Sequence, residues 1–286
     1  MFCQYCGAKL RADASHAPMQ QPSVGPGPHR ATEQPPHRAT EQPPNRPTEQ
    51  PPHRAEQPPQ RPAEQAPPAR LVVIAQDGTP GAEHPVIGPE VSIGRSEGTV
   101  SLAADPYVSP QHMQISRRSG RFFVRDLESV NGVYLRLRGS EPLRHGDLVL
   151  MGLEVLRFEL VSETEKRLGP ATERGARVFG SPAAPRHARL SQHTVEGVNR
   201  DVYYLIRDET VIGRESGDLV FTNDPFMSRR HASFTRNPAT GTFSLKDLGS
   251  SNGTYLAIRG EHEITHGDHL RIGQHLFRLE VGGAPR

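Results

Sequence analysis

The feature that most constrains this chain is an internal duplication. Val91-Ser92-Ile93-Gly94-Arg95 recurs as Thr210-Val211-Ile212-Gly213-Arg214, and Ser109…His112 recurs as Ser228…His231, both at an offset of 119. Asp126-Leu127, Asn131-Gly132, His145-Gly146-Asp147 and Gly152 recur as Asp247-Leu248, Asn252-Gly253, His266-Gly267-Asp268 and Gly273 at an offset of 121. A two-residue insertion in the turn-rich stretch 237–241 accounts for the change. Ordered matches at a near-constant spacing mean that a unit of about 90 residues is present twice.

Each copy has the texture of β-structure. Leu156, Phe158 and Leu160 alternate with Arg157 and Glu159, and Phe277, Leu279 and Val281 alternate with Arg278 and Glu280. Phe243 and Leu245 alternate with Ser244 and Lys246. A period of two marks a half-buried strand. Turn signals such as N-G and H-G-D recur at short intervals, with no helical pattern between them. The expected fold class is all-β: two antiparallel sandwiches in tandem.

The duplication leaves the N-terminal part unexplained, and here composition matters. Residues 18–68 hold 16 of the 28 prolines. Residues 29–68 repeat with a period of about eight, too short for a solenoid unit, and contain almost no apolar side chains. Such a chain cannot bury a core to offset its ordering entropy. A disordered, polyproline-like tether is expected. Thr32, Thr40 and Thr48 each follow an Arg by two residues, which suits a basic-directed kinase, and a tether phosphorylated there would reach the second domain in cis. The expected organisation is therefore a knuckle at 1–17, the tether at 18–69, a first domain at 70–161, a linker at 162–187 and a second domain at 188–286.

Several classes fall away. Leu71-Val72-Val73-Ile74-Ala75 is far too short to span a membrane, and Gln4, Lys9 and Arg11 break any signal-type core. Two cysteines exclude a disulfide framework, so a cytoplasmic setting is expected. A net charge of +2 without a dense Lys/Arg stripe argues against nucleic acid.

The polar signatures sit between strands, where function usually resides. Arg214 closes a strand, while Ser228-Arg229-Arg230-His231 and Ser250-Ser251-Asn252-Gly253-Thr254 occupy turns. It holds no metal-ligand set and no carboxylate pair. It offers donors and positive charge, which match a phosphate of charge about −1.5 to −2.

The order G-R, S-R-x-H, S-S-N-G-T, followed by an H-G-D turn and an I-G strand, resembles the forkhead-associated (FHA) domain, a reader of phosphorylated motifs. The resemblance covers residues 70–161 and 188–282. It implies eleven-stranded sandwiches whose loops bind phosphothreonine peptides. In the second copy it implies that Arg214 and Ser228 hold the phosphate. Arg229 would contact phosphate or peptide backbone, Ser251 would add a hydroxyl, and Asn252 would fix the peptide main chain. Gly213, His231 and Gly253 are then structural, as are Gly94, His112 and Gly132 in the first copy. Phe226 and Met227 fall where the family reads residues after the phosphothreonine.

The first copy departs from this pattern. It keeps Arg95, Ser109 and Asn131, a possible weak second site. Pro110 replaces Arg229, and Val130 replaces Ser251. Charge-assisted contacts contribute about 1.5–3 kcal/mol each, so little or no binding is expected there. A Ser228/His231/Asp247 triad can be drawn on paper, but no nucleophile elbow accompanies it. No enzyme activity is expected.

Cys3-Gln4-Tyr5-Cys6-Gly7 resembles half of a zinc ribbon. It reads as a decayed ribbon, as Cys3 and Cys6 plus His16 and a further ligand, or as a four-cysteine zinc site that links two chains into a dimer. The leading functional expectation is a phosphothreonine-binding adaptor in a bacterial Ser/Thr kinase pathway. Its partner would be a threonine-phosphorylated protein, such as the kinase or its substrate. The alternatives are a phosphorylation-independent interaction or oligomerisation scaffold and a zinc-ribbon nucleic-acid-associated regulator.

Overall fold

The computed structural model describes residues 69–282. The knuckle, its cysteines, and the tether with its threonines lie outside the described residues. Ala69, placed at the end of the expected tether, instead opens the first strand.

The first repeat forms β1 (Ala69–Ile74), β2 (Pro80–Pro85), β3 (Glu90–Gly94), β4 (Val100–Ser101), β5 (Met113–Arg118), β6 (Arg121–Asp126), β7 (Tyr134–Arg136), β8 (Ser140–Leu143), β9 (Leu148–Met151) and β10 (Glu154–Leu160). The connection holds α1 (Glu163–Lys166) and a small hairpin, β11 (Thr172–Glu173) and β12 (Ala176–Arg177). The second repeat forms β13 (Ala188–His193), β14 (Asn199–Leu205), β15 (Glu209–Gly213), β16 (Leu219–Val220), β17 (Ala232–Arg236), β18 (Phe243–Asp247), β19 (Thr254–Ala257), β20 (Glu261–Ile264), β21 (His269–Ile272) and β22 (His275–Val281). The architecture is all-β, and no helix among the described residues is long and apolar enough to cross a membrane. Each repeat supplies ten strands rather than eleven.

The alternation sets the faces. Leu156, Phe158, Phe277 and Leu279 are fully buried, while Arg157 is exposed. Each buried side chain of this kind contributes about 1.5–3 kcal/mol of apolar transfer.

The repeats do not close their own cores. β8 pairs with β18, matching Leu143 to Phe243 and Ser140 to Lys246. β20 pairs with β6, matching Ile264 to Phe122 and Glu261 to Arg125. β10 pairs with β13, and β1 with β22. One core therefore joins Leu71, Ile93, Ile115 and Val124 of the first repeat to Ile264, Leu270, Phe277 and Leu279 of the second. The other joins Val149, Leu156 and Phe158 of the first repeat to Leu190, Ile212, Phe234 and Leu245 of the second. The two sequence repeats therefore do not coincide with the units of packing, which exchange their last three strands.

The exchange is reciprocal. β7 and β19 pair with each other and join the halves of a ten-stranded sheet. Leu137 N donates to Thr254 O at 2.9 Å, and Ile258 N donates to Val133 O at 2.8 Å. Arg138 ion-pairs with Asp268, and Arg259 with Asp147. These aspartates are equivalent residues of the two H-G-D turns. After β7 the chain crosses over through residues 137–139 instead of turning back onto its own repeat. A connection that short favours exchange over a strained reversal.

Candidate functional site

In the second repeat, β15 ends at Gly213 because nothing larger fits. A Cβ there would lie 2.0 Å from Arg229 O and 2.6 Å from Ser216 O. The close approach lets Arg214 N donate to Ser228 O at 2.9 Å and Ser216 N donate to Arg229 O at 3.1 Å. Arg214 and the serine segment are thereby fixed side by side.

His231 locks the next loop to them. Its Nδ1 accepts from Ser228 N at 3.0 Å, so the ring proton sits on Nε2, which donates to Gly253 O at 3.1 Å. The ring is fully buried, and that burial pushes its pKa below the ordinary value. Ser228 Oγ accepts from Ser251 N at 3.0 Å, and Asn252 Nδ2 donates to Phe226 O at 2.8 Å. Asp247 braces the turn: its carboxylate accepts from Gly249 N and Ser250 N at 2.9 Å, Ser250 Oγ at 2.6 Å and Thr254 Oγ1 at 2.7 Å. Burial alone would raise its pKa, but the hydroxyl and amide donors outweigh it and hold the carboxyl below its usual range. Gly253 closes the turn at φ +83°, which favours glycine.

Arg214, Ser228, Arg229, Ser251 and Asn252 consequently line one open groove of about 360 Å³. Arg230 and Phe226 line it as well. Arg230 was legible in the S-R-R-H run, though only Arg229 drew a role from the resemblance. Met227 does not offer its side chain. It is 1% exposed and packs in the core, so only Phe226 remains of the expected apolar pair. Arg214 Nη2 rests on Glu215 Oε1 at 2.8 Å in an exposed pair that an incoming anion displaces at little cost.

The paper triad is not assembled. His231 meets the backbone of Ser228 rather than its hydroxyl, and the partners of Asp247 are Gly249, Ser250 and Thr254. The H-G-D histidines are structural: His145 Nδ1 accepts from Leu160 N and His266 Nδ1 from Val281 N, each at 3.1 Å. Among the described residues, no group of three or more His, Cys, Asp or Glu side chains is placed to hold a metal ion.

The first repeat has the same frame. Arg95 N donates to Ser109 O and Ser109 N to His112 Nδ1, both at 2.9 Å, and His112 Nε2 lies 3.1 Å from Gly132 O. Val130 N donates to Ser109 Oγ at 3.0 Å, and Asn131 Nδ2 to Tyr107 O at 2.8 Å. A Cβ on Gly94 would lie 2.0 Å from Pro110 O. What faces solvent differs. Pro110 and Gln111 stand where the other groove has Arg229 and Arg230, and Val130 is 89% exposed where Ser251 stands. Gln111 Nε2 donates to Glu97 Oε2 at 2.8 Å, which places a carboxylate on the loop that follows Arg95.

The FHA-domain family model matches residues 91–152 and 210–273. The oxoglutarate dehydrogenase inhibitor of Corynebacterium diphtheriae is 34% identical over 143 residues, covering 49% of this chain and 94% of the relative. The glycogen accumulation regulator GarA of Mycolicibacterium smegmatis is 30% identical over 143 residues, covering 49% of this chain and 86% of the relative. The FHA domain-containing protein FhaB of Mycobacterium tuberculosis is 34% identical over 67 residues, covering 23% of this chain and 43% of the relative. With the glycine approaches and the buried histidine clamp present in both repeats, the chain belongs to the FHA-domain family.

Proposed function

We propose that this protein is a non-catalytic, phosphothreonine-peptide-binding adaptor of bacterial Ser/Thr kinase signalling in the cytoplasm, and that it binds mainly through the second repeat. One observation carries the reading: Arg214, Ser228, Arg229, Ser251 and Asn252 converge on one solvent-open groove. Guanidinium and hydroxyl donors held by a buried frame suit a dianionic phosphate on an extended peptide. The names of the relatives, an enzyme inhibitor and an accumulation regulator, support a regulatory role. The partner is a threonine-phosphorylated protein, such as a kinase or its substrate.

The test is a phosphothreonine-peptide library applied to the full chain, because the interleaved cores make isolated repeats unsuitable. Binding that requires the phosphate and is lost in Arg214→Ala supports the reading. Partner capture that survives both that substitution and phosphatase treatment refutes it. A second reading, a phosphorylation-independent scaffold, is favoured by the first groove, which keeps its frame but exposes Val130 in place of a hydroxyl.

A further inference from the structure

Asp224 precedes the second groove, and its side chain is buried. Its Oδ1 accepts from Phe226 N at 2.9 Å and so shapes the segment that carries Ser228. Its Oδ2 accepts from Leu153 N at 2.7 Å. Leu153 belongs to the first repeat, on the turn between β9 and β10 that strand exchange delivers. Gly152 on that turn has φ +59°, and a Cβ there would lie 2.2 Å from Asp224 Oδ2. The mirror arrangement holds in the first groove: Asp105 accepts from Tyr107 N at 2.9 Å and from Gln274 N at 2.7 Å. A Cβ on Gly273 would lie 2.5 Å from Asp105 Oδ2. The first repeat also backs the second groove at another point, since a Cβ on Gly253 would lie 2.3 Å from Arg136 Nε.

We propose that the second groove is a composite site, in which Gly152 and Leu153 of the first repeat position the binding loop 226–229 of the second through Asp224. The proposal rests on the phosphopeptide reading of that groove. It gives the first repeat a role that its own depleted groove does not require: it supplies the turn on which the intact groove is built. Neither residue belongs to a binding motif, and the repeat pattern by itself would assign this positioning to Gly273.

The test uses the full chain with Cys3 and Cys6 changed to Ser, and a phosphothreonine peptide selected on the unmutated chain. Gly152→Ala is expected to weaken binding of that peptide by about tenfold, the equivalent of one charge-assisted hydrogen bond, and to speed amide exchange at Phe226. Gly273→Ala, the same change at the equivalent turn, is expected to leave affinity unaltered and to speed exchange at Tyr107 instead. The reverse pattern, or equal effects from both, overturns the proposal. If the unmutated chain binds no phosphothreonine peptide, the functional reading fails, and amide exchange at Phe226 and Tyr107 still decides the composite assembly. If Gly152→Ala does not fold, Ser140→Cys with Lys246→Cys decides. In a monomer cut at a protease site inserted in the linker 162–187 and treated with oxidised glutathione, which is reduced as the two thiols join, that pair is expected to hold the two fragments together by a disulfide under denaturing conditions. Failure to cross-link them overturns the proposal.

Discussion

In the second groove Arg229 and Arg230 follow Ser228, and Ser251 precedes Asn252. In the first groove Pro110, Gln111 and Val130 take the places of Arg229, Arg230 and Ser251, and the carboxylate after the arginine is Glu97, bonded to Gln111, where the second groove has Glu215 on Arg214. Beneath these exposed differences the frame is the same. Each groove has a buried histidine between a serine amide and a glycine carbonyl, a serine hydroxyl that accepts from the following turn, and a glycine where a Cβ would strike a carbonyl. The frame is part of the core, so folding demands it. The solvent-facing donors contribute little to folding, so they can differ between the repeats while the frame stays the same. The exposed lining of a groove can therefore change without a change of architecture.

The comparison breaks most visibly at the shared arginine. Arg214→Ala should lower phosphothreonine-peptide affinity by at least about 100-fold, because two charge-assisted hydrogen bonds to the phosphate disappear together. Arg95→Ala should leave total binding unchanged. Calorimetry on the full chain reads both, and an equal loss from the two substitutions would mean that the grooves are equivalent. A restoring experiment comes next in size. Pro110→Arg, Gln111→Arg and Val130→Ser in one chain should add a second binding equivalent. A stoichiometry that stays at one would show that the missing donors are not what silences the first groove. Ser251→Val, which copies the first groove into the second, should cost about tenfold, while Ser251→Thr should retain most affinity.

The smallest effect concerns the frame. Burial pushes the pKa of His231 down, as it does for His84, His187 and His269. On acidification the unfolded chain therefore takes up protons before the folded one. The stability these rings contribute is complete above the ordinary histidine pKa of about 6.5 and drains as pH falls toward the folded values. Tm should drop by a few degrees between about pH 7 and about pH 5. His231→Gln should lower Tm at neutral pH and flatten that slope, since the protonated ring can no longer accept from Ser228 N. A slope unchanged by the substitution would assign the acid sensitivity to the other histidines.

Much of the site is legible in the sequence because its donors occupy turns at fixed distances from strand residues. The resemblance to the FHA pattern carries Arg214, Ser228, Arg229, Ser251 and Asn252 onto loops, and the structure brings them to one groove. Met227 misleads, because an apolar residue in a binding loop reads the same whether it faces a ligand or the core beneath. Arg230 is visible in the S-R-R-H run but draws no role from the resemblance, and the structure places it on the groove beside Arg229. Asp224 and Leu153 are out of reach, since each has a counterpart in the other repeat and nothing local says which copy it meets.

That ambiguity marks the boundary between sequence and tertiary structure here. By itself the sequence determined the duplication, the strands, the buried frames and the difference in charge between the grooves. Only the tertiary structure decided which copy of the last three strands closes which sandwich. Leu156 and Phe158 alternate with polar neighbours just as Phe277 and Leu279 do, so the alternation alone does not say which sandwich each strand closes. The choice falls to the path of the chain through residues 137–139 and 258–260, where Arg138 and Arg259 each reach the aspartate of the opposite repeat.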